Sequence, residues 1–273
     1  MDMKKKILYA AIALCMVIPQ VSGYADDITV YLDGKRLTFD QPPVIRDDFT
    51  LVPFRKIFES LGMTVLWNDA ERKGIAEKDG LIISFTPDDT TMYVNGEAVK
   101  LLTPPVIVSD RILIPLRAVS EAAGADVKWD EGTRTVTVTS EDEVIKNLTK
   151  ELLALTNAER AKQGLNPLVL NDKLSKAADA HCMDMIERGF FNHENPDGQS
   201  SFDRLAAAGI EYWFAGENIA AGQKSAASAV RDWMNSETHR QNIINPAFKS
   251  IGISVRKGGK HGIYWVQEFA LLK

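Results

Sequence analysis

The sequence predicts an α+β protein in two unlike parts: a duplicated β-rich module, then helices packed on a small sheet. Three observations predict it. Residues 26–140 repeat themselves at a constant offset of 62. Apolar residues at helical spacing then recur through residues 144–234. Two alternating strand patterns, joined by Lys257-Gly258-Gly259-Lys260, close the chain, and helices followed by a strand pair suggest a layered α/β sandwich.

Residues 1–25 read as an export signal. Lys4-Lys5-Lys6 is a basic start, Ile7 to Ile18 an apolar stretch of 12 residues, and Gly23-Tyr24-Ala25 a small-residue cleavage site. Twelve residues fall short of the roughly 20 a membrane-spanning helix needs, and no later segment is long and apolar enough. The expected destination is secreted, extracellular or cell-wall associated. Cys15 leaves with the signal, so Cys182 stands alone and no intrachain disulfide can form. Residues 26–143 hold 13 basic and 22 acidic side chains, and residues 144–273 hold 16 and 14. Neither part has the positive bias of a nucleic-acid binder, and the acidic part repels anionic wall polymers.

In the repeat, Tyr31-Leu32-Asp33-Gly34 recurs as Tyr93-Val94-Asn95-Gly96, and Pro42-Pro43-Val44-Ile45 as Pro104-Pro105-Val106-Ile107. Leu51-Val52-Pro53-Phe54-Arg55 recurs as Leu113-Ile114-Pro115-Leu116-Arg117, and Gly62 and Trp67 as Gly124 and Trp129. Each copy predicts a strand, an Asp-Gly or Asn-Gly hairpin, an extended Pro-Pro segment and a second strand. An amphipathic helix ended by Gly62 or Gly124 and a final β segment complete it. Arg55 and Arg117 are read as pairing with acidic residues of their own fold, with a grip on a ligand as the alternative. This region resembles the domain at the N-terminus of some copper amine oxidases, found as a stalk module in bacterial surface proteins. Copper is not expected with it, because residues 26–143 contain no histidine or cysteine to ligate it.

Glu141-Asp142-Glu143 marks the boundary, with residues 141–146 read as a short linker and the second domain as 147–273. A helix follows with Val144, Leu148, Leu152 and Leu155 on one face, stopped at Gly164 and Pro167. Asn171 and Asp172 cap a second helix carrying Leu174, Ala178, His181 and Met185, and further helices are expected at 201–208 and 225–234.

The candidate chemistry lies in His193, Glu217, His239 and Glu237, imidazoles and carboxylates suited to metal ligation or acid–base work. Two imidazoles with one carboxylate can bind zinc and leave a water position open. No Gly-x-Ser-x-Gly elbow or His-Glu-x-x-His motif is present. Cys182 is read as a buried thiol, His181 as structural and His261 as solvated.

Asn157…Arg160…Gly164-Leu165, Phe191-Asn192-His193, Gly216-Glu217-Asn218-Ile219, Trp233…His239-Arg240…Asn242-Ile243 and Ile251-Gly252-Ile253 together resemble the bacterial branch of the CAP superfamily. That group comprises the cysteine-rich secretory, antigen 5 and pathogenesis-related 1 proteins. The resemblance implies an α-β-α sandwich whose cleft is lined by two histidines and two glutamates, which in some members hold a divalent metal. His193 and His239 match the histidines, Glu217 matches one glutamate, and Ser236 stands at the fourth position beside Glu237. Asn218, Ser236, Glu237 and Gln267 are the candidate ligand-contacting groups, and His193 and His239 the candidate metal ligands. A site without a nucleophile favours a binding module for a divalent metal such as zinc, or for a cell-envelope lipid, glycan or peptide. A metal-assisted hydrolase of envelope peptides or peptidoglycan, and a structural envelope or spore-layer component, are the alternatives.

Overall fold

The protein is described by a computed structural model over residues 28–273, which divide into two compact units between Val138 and Thr139. The expected export signal, with Cys15, lies outside the described residues.

The first unit opens with β1 (Thr29–Leu32), turned through Asp33 and Gly34 into β2 (Lys35–Arg36), followed by β3 (Val44–Arg46) and β4 (Phe49–Pro53). Next come α1 (Phe54–Ser60), β5 (Thr64–Asn68), β6 (Lys73–Lys78) and β7 (Leu81–Phe85). The second copy supplies β8 (Thr91–Val94), β9 (Glu97–Lys100), β10 (Val106–Val108) and β11 (Arg111–Pro115), then α2 (Leu116–Ala122), β12 (Asp126–Asp130) and β13 (Thr135–Thr139). Gly62 and Gly124 follow the two helices at φ +82° and +78°, the left-handed backbone that favours glycine.

The copies interlock. The sheet orders are β12-β13-β1-β2, β10-β11-β4-β3 and β5-β6-β7-β8-β9, so every sheet of this unit takes strands from both repeats. Parallel pairing of β1 with β13 joins the first strand to the last. One core runs through both copies, with Val30, Phe58, Phe85, Ile114 and Val119 among its buried residues. The repeats therefore fold as one unit. Arg55 and Arg117 match in role as well as in sequence: their Nη1 atoms donate to Val65 O at 3.4 Å and Val127 O at 2.7 Å. Glu59 and Glu121 lie 3.6 and 3.4 Å from them, one helical turn on.

The second unit begins with α3 (Glu141–Lys162), so residues 141–146 are not a linker but the first turns of a helix. The reason is local: Ser140 accepts from Glu143 N at 3.3 Å, and three acidic side chains sit at the positive end of the helix dipole. The chain continues through β14 (Val169–Leu170), α4 (Asp172–Arg188), α5 (Ser201–Ala207) and β15 (Tyr212–Ala221). It ends with α6 (Ala226–Asn235), α7 (Glu237–Ile243), β16 (Ser250–Gly258) and β17 (Gly262–Leu272).

The sheet of this unit has the order β14-β16-β17-β15, with β16, β17 and β15 antiparallel. Alternation along the strands sends Ile251, Ile253, Trp265 and Phe269 into a core with Leu152 of α3 and Trp233 of α6. The opposite face meets α4, where Ala178, Cys182 and Met185 pack on Ile219, Tyr264 and Val266. The result is the expected α-β-α sandwich. Gly252 admits α4 closely: a Cβ there would stand 2.2 Å from the Leu174 carbonyl carbon.

Arg160 ties α3 to the segment after α7. It is 1% exposed, and its guanidinium donates to the carbonyls of Asn166, Ile243, Asn245 and Phe248 at 2.9, 2.9, 2.8 and 3.3 Å. Arg160→Met leaves those carbonyls without their donor, and urea unfolding is expected to show a loss of about 2–4 kcal/mol. Wild-type stability in that variant would show the carbonyls finding other partners.

Candidate functional site

The site lies around β15, the edge strand of the sheet, where both helical layers can reach past the sheet. Strand alternation points Glu217 toward the α4 side and Asn218 toward the α7 side. His193 belongs to the irregular segment between α4 and α5, and His239 to α7. Their ring centroids lie 6.3 Å apart, so the two histidines converge.

Glu217 is the hub. Its side chain is 2% exposed, with His193 Nδ1 2.6 Å from Oε1 and Arg204 Nη2 donating to Oε2 at 2.6 Å. Arg204 also donates to the carbonyls of His193 at 2.8 Å and Gln199 at 3.1 Å, fixing the segment that carries His193. A carboxylate accepts, so Nδ1 of His193 carries the proton and Nε2 of this half-exposed ring is left for a ligand. Behind Glu217, buried His181 reaches Oε2 at 3.8 Å and donates from Nε2 to Asn192 O at 3.1 Å. Its Nδ1 has no partner among the described residues.

The strand partner of Glu217 is Glu268 on β17. Glu268 is fully buried, its carboxyl set against that of Glu217. Burial, then the neighbouring Glu217 carboxylate, pushes its carboxyl well above the usual range. Burial opposes the ionisation of Glu217 too, but the His193 and Glu268 contacts and the Arg204 charge outweigh it and hold Glu217 low. The pair thus divides into one ionised and one neutral carboxyl. Burial lowers the His239 imidazole, helped by the neighbouring His193, and burial lowers His181 despite Glu217.

An open cavity of about 500 Å³ adjoins the hub, lined by Asn192, His193, Glu194, Ser200, Ser201, Phe202 and Glu217. The other candidate ligand contacts are corrected. Asn218 and Gln267 are fully buried. Asn218 Nδ2 donates to His239 O at 3.1 Å and Gln267 Oε1 at 3.3 Å, while Gln267 Nε2 donates to Thr156 Oγ1 at 2.8 Å. Asn242 Nδ2 closes this network on Asn218 Oδ1 at 3.0 Å and Glu217 O at 3.1 Å. These amides hold α7, and with it His239, against β15 and β17. Glu237 is exposed, accepting from Gln241 Nε2 at 2.9 Å on its own helix surface. Ser236 occupies the N-cap of α7, its Oγ 3.3 Å from Thr238 Oγ1.

A metal centre built from His193, His239 and Glu217 does not fit this arrangement. Both Glu217 oxygens are engaged, and among the described residues no group of three His, Cys, Asp or Glu side chains is placed to hold an ion. Glu217 instead stands behind His193, as carboxylates stand behind ligating imidazoles. Cys182 is buried, its thiol pushed up to about 12 by burial, which suits a structural role. His261 is exposed, as expected, with its ring edge-on to Phe191 at 5.9 Å.

Sequence reasoning missed Arg204 and Glu268. Arg204 sits in no motif. Glu268 did leave a signal, as the lone charge in the apolar run Tyr264-Trp265-Val266-Gln267-Glu268-Phe269-Ala270.

Comparison with known proteins follows the two units. The copper amine oxidase N-terminal domain model matches residues 31–138 and 103–174, and the cysteine-rich secretory protein family model matches 153–269. The uncharacterized protein YkwD of Bacillus subtilis (strain 168) is 41% identical over 160 residues, 57% of this chain and 61% of that one. The uncharacterized membrane protein YlbC of the same organism is 33% identical over 147 residues, 54% of this chain and 38% of that one. The chain thus matches under two thirds of the length of these curated relatives. An outer surface protein from Borrelia burgdorferi aligns at TM-score 0.44 and 25% identity, over 47% of this chain and 95% of that chain. An extracellular protein containing an SCP domain from Bacillus anthracis str. Ames aligns at TM-score 0.43 and 17% identity, over 84% of this chain and 74% of that chain.

Proposed function

We propose, for a chain that joins a copper amine oxidase N-terminal domain to a C-terminal domain of the cysteine-rich secretory protein family, a binding role without catalysis. The His193 pocket takes an envelope-derived ligand, and the chain works as a secreted or envelope-associated protein. One observation carries the reading. Both Glu217 oxygens are committed, to His193 and to Arg204, so the buried carboxylate orients a pocket wall and is not free as a base. What remains open is a half-exposed imidazole and the exposed side chains of Asn192 and Glu194 around the cavity of about 500 Å³. Such groups suit hydrogen bonding to a polar ligand. No helix among the described residues is long and apolar enough to cross a membrane.

The test is calorimetric titration of wild type and His193→Ala with soluble peptidoglycan fragments, envelope peptides and lipid vesicles. Wild type is expected to bind one of these, and His193→Ala to bind it at least about tenfold more weakly. Absence of binding by wild type to every probe would sink the proposal. So would turnover of wall fragments or peptides that disappears in His239→Ala.

A further inference from the structure

The first unit holds two clefts related by the same 62-residue offset as the repeats. One is lined by Pro53, Arg55, Glu59 and Trp67 of the first copy, with Asp110 and Ile112 of the second. The other is lined by their counterparts Pro115, Arg117, Glu121 and Trp129, with Asp48 and Thr50. Each cleft thus combines the helix and tryptophan of one copy with the hairpin turn of the other.

The clefts differ where the repeats have diverged. In the first, Arg111 Nε donates to Asp40 Oδ2 at 2.7 Å across the mouth, and Trp67 Nε1 donates to Asp69 Oδ1 at 2.6 Å. In the second, the positions of Asp40 and Arg111 are held by Leu102 and Phe49. Leu102 is 81% exposed and Trp129 40% exposed, both large apolar surfaces left to water. The cavity volume follows, about 590 Å³ for the first cleft and about 1140 Å³ for the second. The second exceeds the roughly 300–1,000 Å³ of small-molecule pockets.

Two sheet edges border the open cleft. β9 ends the five-stranded sheet and contributes Val99 and Lys100; β12 ends a four-stranded sheet and contributes Val127 and Trp129. All four residues of β9 are exposed. An uncovered edge is a template for a further strand.

We propose that the open cleft binds an extended peptide segment of a partner protein, which adds a strand to β9 and places alternate apolar side chains against Phe49, Leu102 and Trp129. Strand addition supplies main-chain hydrogen bonds, and the apolar wall supplies side-chain selectivity. Charge favours an uncharged segment. The rim balances Lys100 and Arg134 against Asp48 and Glu131, within a region holding 22 acidic and 13 basic side chains that repels polyanions. The first cleft, latched by its ion pair, is the built-in control.

The experiment measures binding of the chain to a panel of end-capped peptides of about eight residues, alternating leucine or valine with threonine. A matched panel is N-methylated at alternate backbone nitrogens, and chitin oligosaccharides are run beside them. Wild type is expected to bind one unmethylated peptide and to lose it on methylation. Phe49→Arg with Leu102→Asp copies the latch into the open cleft and is expected to weaken binding at least about tenfold. Asp40→Leu with Arg111→Phe removes the existing latch and is expected to add a second equivalent site. Melting temperatures establish folding, and should the first double variant unfold, the second carries the test through its stoichiometry. No peptide binding by wild type, equal binding of methylated peptides, unchanged binding in a folded latch-copy variant, or chitin binding that displaces the peptide would each overturn the proposal.

Discussion

Glu217→Ala is expected to cost about 3–5 kcal/mol of folding stability in urea unfolding at neutral pH, the scale for removing one member of a buried ion pair. Arg204, whose side chain is 10% exposed, keeps its two carbonyl partners but loses the carboxylate 2.6 Å away. His193 loses the acceptor that fixes its ring. A compensation is built in. Burial is the larger cause of the neutral Glu268 and remains, but with Glu217 gone its repulsion is gone too, which eases ionisation of Glu268 toward Arg204. The double change Glu217→Ala with Glu268→Gln removes that rescue and is expected to be less stable than the sum of its parts. The pH dependence has a definite sign. The Glu217 carboxyl is held below its ordinary value of 4.5, so its contribution is present above that pH and is lost as pH falls through the lowered folded value. A flat acid limb in wild type, matched by the variant, would contradict the pairing.

Glu268→Gln is expected to act the other way, stabilising the protein at pH 7 by roughly 1–3 kcal/mol. The native carboxyl favours its proton far more than the unfolded one does, because burial and Glu217 both oppose the charge. Its contribution is therefore fully present below the ordinary 4.5 and declines as pH rises through the raised folded value. Glutamine keeps the size and a donor toward Glu217 without a charge to suppress. The variant and wild type are expected to match near the acid end and to diverge toward neutrality, as read by melting temperature against pH. Equal stability at pH 7 would show that Glu268 is solvated or paired after all.

The two carboxylates mark how differently the site could be read in advance. Glu217 stood in Gly216-Glu217-Asn218-Ile219, a motif legible without coordinates, and His193 and His239 were legible on the same terms. Their convergence needs two layers to meet at β15, one carrying His193 and the other His239. Asn218 and Gln267 show the opposite lesson. Polar residues near a motif look like ligand contacts, yet alternation turns them inward, where they link α7 to β15 and β17. Glu237, adjacent in sequence to the expected fourth position, projects to solvent because its place on α7 points it away.

By itself the sequence determined the α+β class, the duplication and its hairpins, the helix caps at Asn171, Gly62 and Gly124, and the residues His193, Glu217 and His239. These rest on periodicity, turn chemistry and local motifs, which act over a few residues and so can be read along the chain. Only the tertiary structure decided that β1 pairs with β13 and that each sheet of the first unit draws on both copies. It alone placed Arg204 and Glu268 on Glu217, and left one of two equivalent clefts unlatched. Those outcomes depend on strand pairing and burial between residues far apart in sequence. There the cost of a buried charge, and not its neighbours along the chain, selects the partner.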